Sequence, residues 1–373
     1  MARGIIKEFI TQPGYFGLNT QETYGAIDKR FCLKATNLVY NTEGELKSRE
    51  SLDELISASL TGLTTIHEYI DSSANTLTIY SNKNVLVKES AGSTTDISGA
   101  TTPREWKFVN FNGVCVGHHP SYAPISLSTV GGTFAAAAGT QYNGADVLSS
   151  NGRIWIIDGN TLRYTDLLVN SFAGGSSGSF DLANYWPNGM DEGVALAEWN
   201  DFLIVFGKKS IIIYENPDDP TNSMAIADTI TGIGCIARDT VKSVGKDLYF
   251  LSMSGLRSLG RTIQEKSSPI GNLSLNVHKS VQYDITEELL NGERFIGVYS
   301  QRHSFYLLSS SRGFTYIFDI SRPFSNGSLR VTTWDMSISG AVELTDASFV
   351  VSKQVGHVCT VATYANYNEI MTP

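Results

Sequence analysis

The chain has 373 residues, of which 42% are hydrophobic and 17% charged, with a net charge of −9 and a pI near 5.2. The charged fraction falls well under the roughly 25% of ordinary soluble domains, and small, hydroxyl and amide side chains fill the gap, which suits short strands and turns. The 28 basic residues are scattered against 37 acidic ones, with Lys208-Lys209 the densest cluster. That lacks the footprint of a nucleic-acid binder, and no apolar run reaches the about 18 residues of a membrane span.

At the N-terminus Arg3, Lys7 and Glu8 interrupt any apolar core, so residues 1–10 do not read as a signal peptide. Residues 1–60 read as an arm or platform segment, with a two-turn helix expected over 52–60. From 61 to 362 a unit recurs: strand, tight turn, apolar strand, second turn, strand. Weak copies at 65–87 and 332–361 flank five clearer ones. The first clear copy turns at Asn112-Gly113, the second at Asn151-Gly152 and the third at Asn200-Asp201. Asn-Gly pairs suit type I′ hairpins, whose central residues both need positive φ. The fourth copy passes through Asp247-Leu248-Tyr249 and the fifth through Phe305-Tyr306-Leu307. Successive turns lie about 39 to 56 residues apart, a period that marks β-propellers. The fold class predicted is all-β: a β-propeller of six or seven blades with an N-terminal β arm and one short helical insertion. A double β-sandwich is the structural rival.

The helical insertion is placed at 272–290, with a cap at Asn272 or Ser274, apolar positions at Leu275, Val277, Val281 and Ile285, and Gly292 beyond the end. Residues 90–103, 133–139 and 171–179 read as loops. Residues 363–373 read as a tail that could begin a further β region.

Chemistry-bearing patterns are sparse. Gly174-Gly-Ser-Ser-Gly178 fits a hydrolase nucleophile elbow in letters, but no helix follows it. His118-His119 point to opposite faces of a strand, so they do not share a metal without a bend. Asp218-Asp219 sits in a proline turn and Glu287-Glu288 on the predicted helix. A propeller glycosidase needs two carboxylates about 5–10 Å apart across a cleft; sialidase-type boxes are absent, and Thr332-Thr-Trp-Asp335 only approaches one. The four cysteines, Cys32, Cys115, Cys235 and Cys359, form no CxxC pair and read as buried thiols kept reduced in a cytosol. Trp106, Trp155 and Trp199 lie beside hairpin turns and read as blade packing rather than a sugar groove. No catalytic residue, metal ligand or cofactor is expected.

Several strings also resemble one family. Gly17-Leu18-Asn19 opens a stretch followed by Phe31 to Val39, which contains Asn37, and by Gly44-Glu-Leu-Lys-Ser-Arg49. Further on come Gly234 to Val241, which contains Arg238-Asp239, and Asp247 to Gly260, which contains Gly255, Arg257 and Ser258. Gln264 to Ser274, Phe305-Tyr-Leu-Leu308, Tyr316-Ile-Phe-Asp319 and Arg330-Val-Thr-Thr-Trp334 complete the set. In this order they are similar to the tail tubular, or nozzle, proteins of short-tailed bacteriophages. The resemblance implies a non-enzymatic virion protein: a propeller in a homohexameric ring of the tail, made in the host cytoplasm. Its implied partners are further copies of itself, a portal-adaptor protein, tail fibres, and double-stranded DNA that passes without tight binding; no membrane insertion is implied. The ring would help retain packaged DNA and form its exit conduit. Gly17, Gly44 and Gly255 fit turns that need a permissive backbone. Arg49, Arg238, Asp239 and Arg257 read either as ion pairs between blades or subunits or as solvated charges. Members of that family usually continue past the propeller into further β structure. A propeller binding or scaffold module of non-phage origin, and a carbohydrate-active propeller enzyme, are the alternatives.

Overall fold

The hairpin turns form as their residues dictate. Asn112 and Gly113 have φ of 51° and 72°, Asn151 and Gly152 have 51° and 69°, and Asn200 and Asp201 have 48° and 65°. All six lie in the left-handed region that type I′ turns require, and the flanking strands pair in register. The computed structural model describes residues 14–372 other than 24, 42, 57–59, 61, 83, 91, 100–104, 188, 266–271, 311–314, 354–357 and 363–369. The start of the arm, the end of the loop at 90–103, much of the 264–274 string and most of the C-terminal tail therefore lie outside the described residues.

Six sheets of four or more strands and one of three form the ring. Blades 1 to 4 are antiparallel meanders over residues 66–96, 107–136, 146–181 and 193–231. Blade 5 (242–258) has three strands, and blade 6 begins with four (295–334). Blade 7 combines Ile338–Glu343, Phe349–Lys353 and Val358–Ala362 with Ser51–Ile56 from the other end of the chain. The innermost strands neighbour one another in a closed cycle, with the turn Arg238–Thr240 bridging blades 4 and 6 on the inside.

Each neighbouring pair of blades shares its own apolar core. Tyr69 and Leu86 meet Trp106 and Cys115 between blades 1 and 2, and Val116 meets Ile154 and Ile156 between blades 2 and 3. Trp155 and Leu162 meet Leu203 and Ile212 next, followed by Ile204 and Phe206 against Phe250. Leu251 and Leu256 then face Tyr306 and Phe318, Leu307 faces Phe349, and Val350 faces Tyr80 and Val87 to close the circle. A sandwich would have one core between two sheets; seven cores in cyclic order make a propeller. Trp106 and Trp155 are buried in these cores, as are Trp186 and Trp334, while Trp199 is only partly buried against the core between blades 4 and 5.

Residues 52–60 do not form the expected helix. Ser51–Ile56 is a strand paired antiparallel with Val358–Ala362, so part of the segment assigned to the arm completes the propeller. The spacing of Leu52, Leu55 and Ile56 imitates a helix face, but the open edge of blade 7 supplies a ladder of backbone partners, and pairing removes an exposed edge. Residues 93–96, read as loop, form the outer strand of blade 1. The insertion is helical but starts later than expected: a 3-10 turn Leu275–Val277 leads into α1, His278–Leu290, and Ser274 supplies no side-chain cap. Val277, Val281 and Ile285 are buried, and Gly292 follows with φ 69°. Among the described residues no helix is long and apolar enough to cross a membrane.

The arm folds onto blade 6. Lys34–Thr36 adds parallel to Arg330–Trp334, and Ile370–Thr372 adds antiparallel to Lys34–Thr36, giving a six-stranded sheet. Leu38–Tyr40 and Leu46–Ser48 form a small hairpin alongside. Gly17 lies against the same edge with φ +80°, and a Cβ there would sit 2.6 Å from the Val331 carbonyl oxygen. A side chain is excluded by both the backbone conformation and the close approach.

Candidate functional site on the propeller axis

Each inner strand begins at the same end of the ring, so the first residues of successive strands converge on the axis. Blade 2 places Lys107 there, blade 3 Asp146 and blade 5 Lys242, while Arg294 immediately precedes the first strand of blade 6. The turn Arg238–Thr240 pushes Asp239 into their midst. Its carboxylate lies 2.6 Å from Arg294 Nη2, 3.1 Å from Lys107 Nζ and 3.7 Å from Arg238 Nε. Lys107 is also 3.8 Å from Asp146. The Leu196 amide donates to the other Asp146 oxygen at 2.8 Å. Arg238 donates to the carbonyls of Ala145 and, at 3.0 Å, Glu105.

These charges enclose an axial cavity of about 230 Å³. Its wall comes from blades 1, 2, 5, 6 and 7 and carries His67, Lys107, Asp239, Lys242 and Arg294 among apolar and threonine side chains. Burial alone would raise the Asp239 pKa, but Lys107, Arg294 and Arg238 hold it well below the usual carboxylate range. Burial works against the Lys107 ammonium too, yet Asp239 and Asp146 more than offset it and its pKa ends above the ordinary value. Asp146 is raised, chiefly by burial. His67 is pushed down to about 4 by burial, with Lys107 and Lys242 adding to the effect, and its Nε2 lies 3.1 Å from Asn110 Oδ1. It is therefore neutral at physiological pH.

Lys242 differs from the rest. It is half-buried on the cavity wall, and no described residue gives its ammonium a hydrogen bond or ion pair. Burial, reinforced by Lys107, pushes its pKa down to about 8. A depressed amine pKa means that folding disfavours the charged form. At pH 7 the amine is protonated in both states and costs stability. The cost disappears as pH rises from about 8 towards the ordinary value near 10.4, because the folded state releases its proton first. Replacing Lys242 with Met is expected to stabilise the fold by roughly 1–3 kcal/mol at pH 7. The gain should shrink towards zero by about pH 10.5. Urea unfolding of both proteins across this range checks it, and a Met variant less stable than the parent at pH 7 contradicts it.

The residues singled out by the family resemblance fall into two groups. Asp239 makes inter-blade ion pairs in the axial network, whereas Arg238 pairs with its neighbour Asp239 and reaches other blades through the carbonyls of Ala145 and Glu105. The others gather around blades 5 and 6 and the arm. Leu18 donates its amide to Val331 O at 2.8 Å, and Asn19 accepts from the Gln21 amide at 2.9 Å. Asn37, at φ 61°, accepts from Arg49 Nε at 3.1 Å, and Arg49 lies over the Trp334 ring. Gly44, at φ +86°, packs against the Arg322 guanidinium. Gly255, at φ +110°, faces Asn272 and Ser274. Arg257 donates to Ser254 Oγ at 2.8 Å and Ser258 to Asp247. Arg49 and Arg257 are buried in hydrogen bonds, so neither is a solvated charge.

The remaining chemistry-bearing patterns resolve as structure. Ser176 is tied to Asp166 at 2.8 Å in a loop that leads into the strand Gly178–Asp181, so a strand stands where an elbow needs a helix. His118 is buried, 3.1 Å from the Tyr142 carbonyl, while His119 accepts from the Ser121 amide. Asp219 accepts from Asn222 and Ser223 within its turn. Cys32, Cys115 and Cys235 are free and buried. Sequence reading missed Lys107, Asp146, Lys242 and Arg294.

No family model matches the chain, and no curated protein matches it. Among solved structures it is similar to the extracellular domain of a hybrid two-component system from B. thetaiotaomicron, at TM-score 0.52 and 10% identity. That match covers 82% of this chain and 40% of the other. Matches also reach BamB from Moraxella catarrhalis (TM-score 0.48, 12% identity, 86% and 95% covered) and the C-terminal WD40 domain of Sif2 (0.45, 13%, 81% and 82%). At these identities the likeness extends to the fold alone.

Proposed function

We propose that this propeller is a non-catalytic, ring-forming structural subunit of a short-tailed phage tail, placed at the nozzle. The observation that carries the reading is the convergence of strings that lie far apart in sequence. Leu18, Leu251, Leu256, Leu273, Leu308, Tyr316, Phe318 and Val331 come from six of the strings that resemble nozzle proteins, and all lie in one core cluster. Backbone bonds join the strings: Leu273 N to Leu256 O at 2.9 Å, Leu18 N to Val331 O at 2.8 Å and Asn37 N to Thr333 O at 2.7 Å. The strings thus pack together around the core shared by blades 5 and 6, to which Leu18 of the arm and Leu273 of the segment before α1 are added.

The surface suits assembly. Leu167, Leu168 and Val169 are consecutive and exposed, and Tyr283 and Leu290 are exposed on α1; exposed apolar groups in proximity mark contact surfaces. Heterologous contacts repeated around an axis close into rings. Six copies with a portal-adaptor ring above and fibres attached at the junction is the arrangement proposed. Any DNA path then runs between copies. The cavity on the propeller's own axis, about 230 Å³ and flanked by ion pairs, is too small for a duplex, whose major groove alone is about 12 Å wide. Of the residues lining that cavity only Asp239 is a carboxylate, and it is bound to cations, which does not favour the glycosidase alternative.

The reading predicts no tight binding of duplex DNA. In fluorescence anisotropy at about 20 mM salt, where attraction reaches furthest, the purified chain should leave a short duplex unbound at micromolar concentration. Sub-micromolar binding that weakens steeply with salt contradicts the conduit role.

A further inference from the structure

The wall of the axial cavity carries three cations, Lys107, Lys242 and Arg294, against the single carboxylate Asp239. Lys107 and Arg294 are satisfied by Asp239, which leaves Lys242 as the amine facing the cavity without a partner among the described residues. We infer that this cavity binds a small oxyanion, a phosphate or a compact dicarboxylate, with Lys242 as its principal anchor and Lys107 and Arg294 beside it. The inference stands independently of the tail assignment.

Three features select that ligand class. The volume of about 230 Å³ lies below the roughly 300–1,000 Å³ of pockets for drug-sized ligands, so nucleotides and oligosaccharides do not fit. A divalent cation needs several oxygen ligands, and the one carboxylate among the described wall residues is engaged by three cations already. The excess positive charge lies inside a chain whose net charge is −9, so it does not follow from a generally basic surface. An ammonium held without a partner at a cost in stability is the pattern of a binding group rather than of a structural one. The oxyanion would join Lys242 of blade 5 to the lattice of charges that already ties blades 2, 3 and 6 through the bridging turn, and would therefore stabilise the ring as it binds.

The groups facing Lys242 are Lys107 and Asp239, with Asp146 behind them, and both carboxylates sit within the ion-pair network. Lys242, at about 8, is accordingly the group that titrates near neutrality, and His67 stays neutral there. Oxyanion affinity should fall as pH rises through about 8 to 9, in step with loss of the Lys242 proton.

The test is isothermal titration of the full chain in a zwitterionic buffer at pH 7, with inorganic phosphate in one arm and malonate in the other. One site per chain should be filled by at least one of them, and the tighter arm identifies the ligand chemistry. Lys242→Met should weaken binding about tenfold or more, while Lys242→Arg retains it, since one charge-assisted hydrogen bond is worth that factor. The Met variant should show the higher melting temperature, which separates lost binding from lost folding. In the parent protein the bound anion should also slow acetylation of Lys242, a readout that needs no variant. Absence of binding in both arms at millimolar concentration, Met-variant affinity equal to the parent's, or an acetylation rate untouched by either anion would overturn the inference.

Discussion

Arg330→Met is expected to destabilise the protein by about 3–5 kcal/mol and to release the N-terminal platform. Arg330 and Asp319 form a nearly inaccessible ion pair, with 4% and 3% of their side chains exposed, between adjacent strands of blade 6. Nε of Arg330 donates to Asp319 Oδ2 at 2.8 Å, and Nη2 donates to the same oxygen. The guanidinium also lies 4.0 Å from the Tyr40 ring centroid and 5.3 Å from that of Tyr15, and Tyr40 Oη donates to Tyr15 O at 2.8 Å. One cation therefore neutralises a carboxylate buried in blade 6 and holds two rings of the arm. Its removal strands that carboxylate, whose remaining donors are the amide and hydroxyl of Ser321. The double variant Arg330→Met/Asp319→Leu should recover much of the loss, because a buried pair exchanged for apolar groups is often near neutral. Urea unfolding measures the cost, and limited proteolysis within residues 14–50 reports arm release. A single variant within 1 kcal/mol of the parent, or an arm that stays protected, contradicts this role.

Asp239→Asn is expected to cost a similar amount, about 3–5 kcal/mol at pH 7, through a different route. It removes the anion that holds Lys107, Arg294 and Arg238 together, so three cations from blades 2 and 6 and the bridging turn face one another with less compensation. The folded pKa of Asp239 lies below its unfolded value near 3.9. The stabilisation is therefore complete above about pH 4 and is lost as pH falls further, through the folded value. Parent and variant should differ most at neutral pH and converge in acid. Urea unfolding at pH 7 and at pH 3 checks both signs. A gap of constant size at the two values would show that the carboxylate's charge is not what matters.

The propeller was legible because its signal is local and repeated. Asn112-Gly113 and Asn151-Gly152 impose the hairpins by backbone sterics, and the apolar strands after them can only be buried between blades. Closure was not legible. Ser51–Ile56 is recruited from about 300 residues away by the edge of blade 7, and its Leu52-Asp53-Glu54-Leu55 reads locally as a helix turn; no local rule announces a long-range partner. The abbreviated blade 5 has a related cause. Asn272 bridges to Arg257 and Leu273 bonds to Leu256, so the segment before α1 covers the edge that a fourth strand would occupy.

The axial network was missed although a usable signal was present. Lys107, Asp146 and Lys242 all stand at the first position of an inner strand, and Arg294 stands one residue before. Charges at one phase of a propeller repeat must meet at the axis. The turn signals alone do not relate these charges; only superposition of the repeat units brings them to a common phase. Arg238 and Asp239 were found only through the family resemblance; with no strand around them, their convergence depends on the turn that carries them inward.

The proposed nozzle role is tested most directly by electron cryo-microscopy of particles induced from the source that encodes this chain, with the propeller fitted into any tail found. The account predicts six copies in a ring below the portal adaptor, with the platform of residues 14–50 and blades 5 and 6 contributing to contacts between subunits, and with the DNA path on the ring axis. A particle whose tail contains no such ring, or in which this chain is absent or lies singly outside the axis, would contradict it.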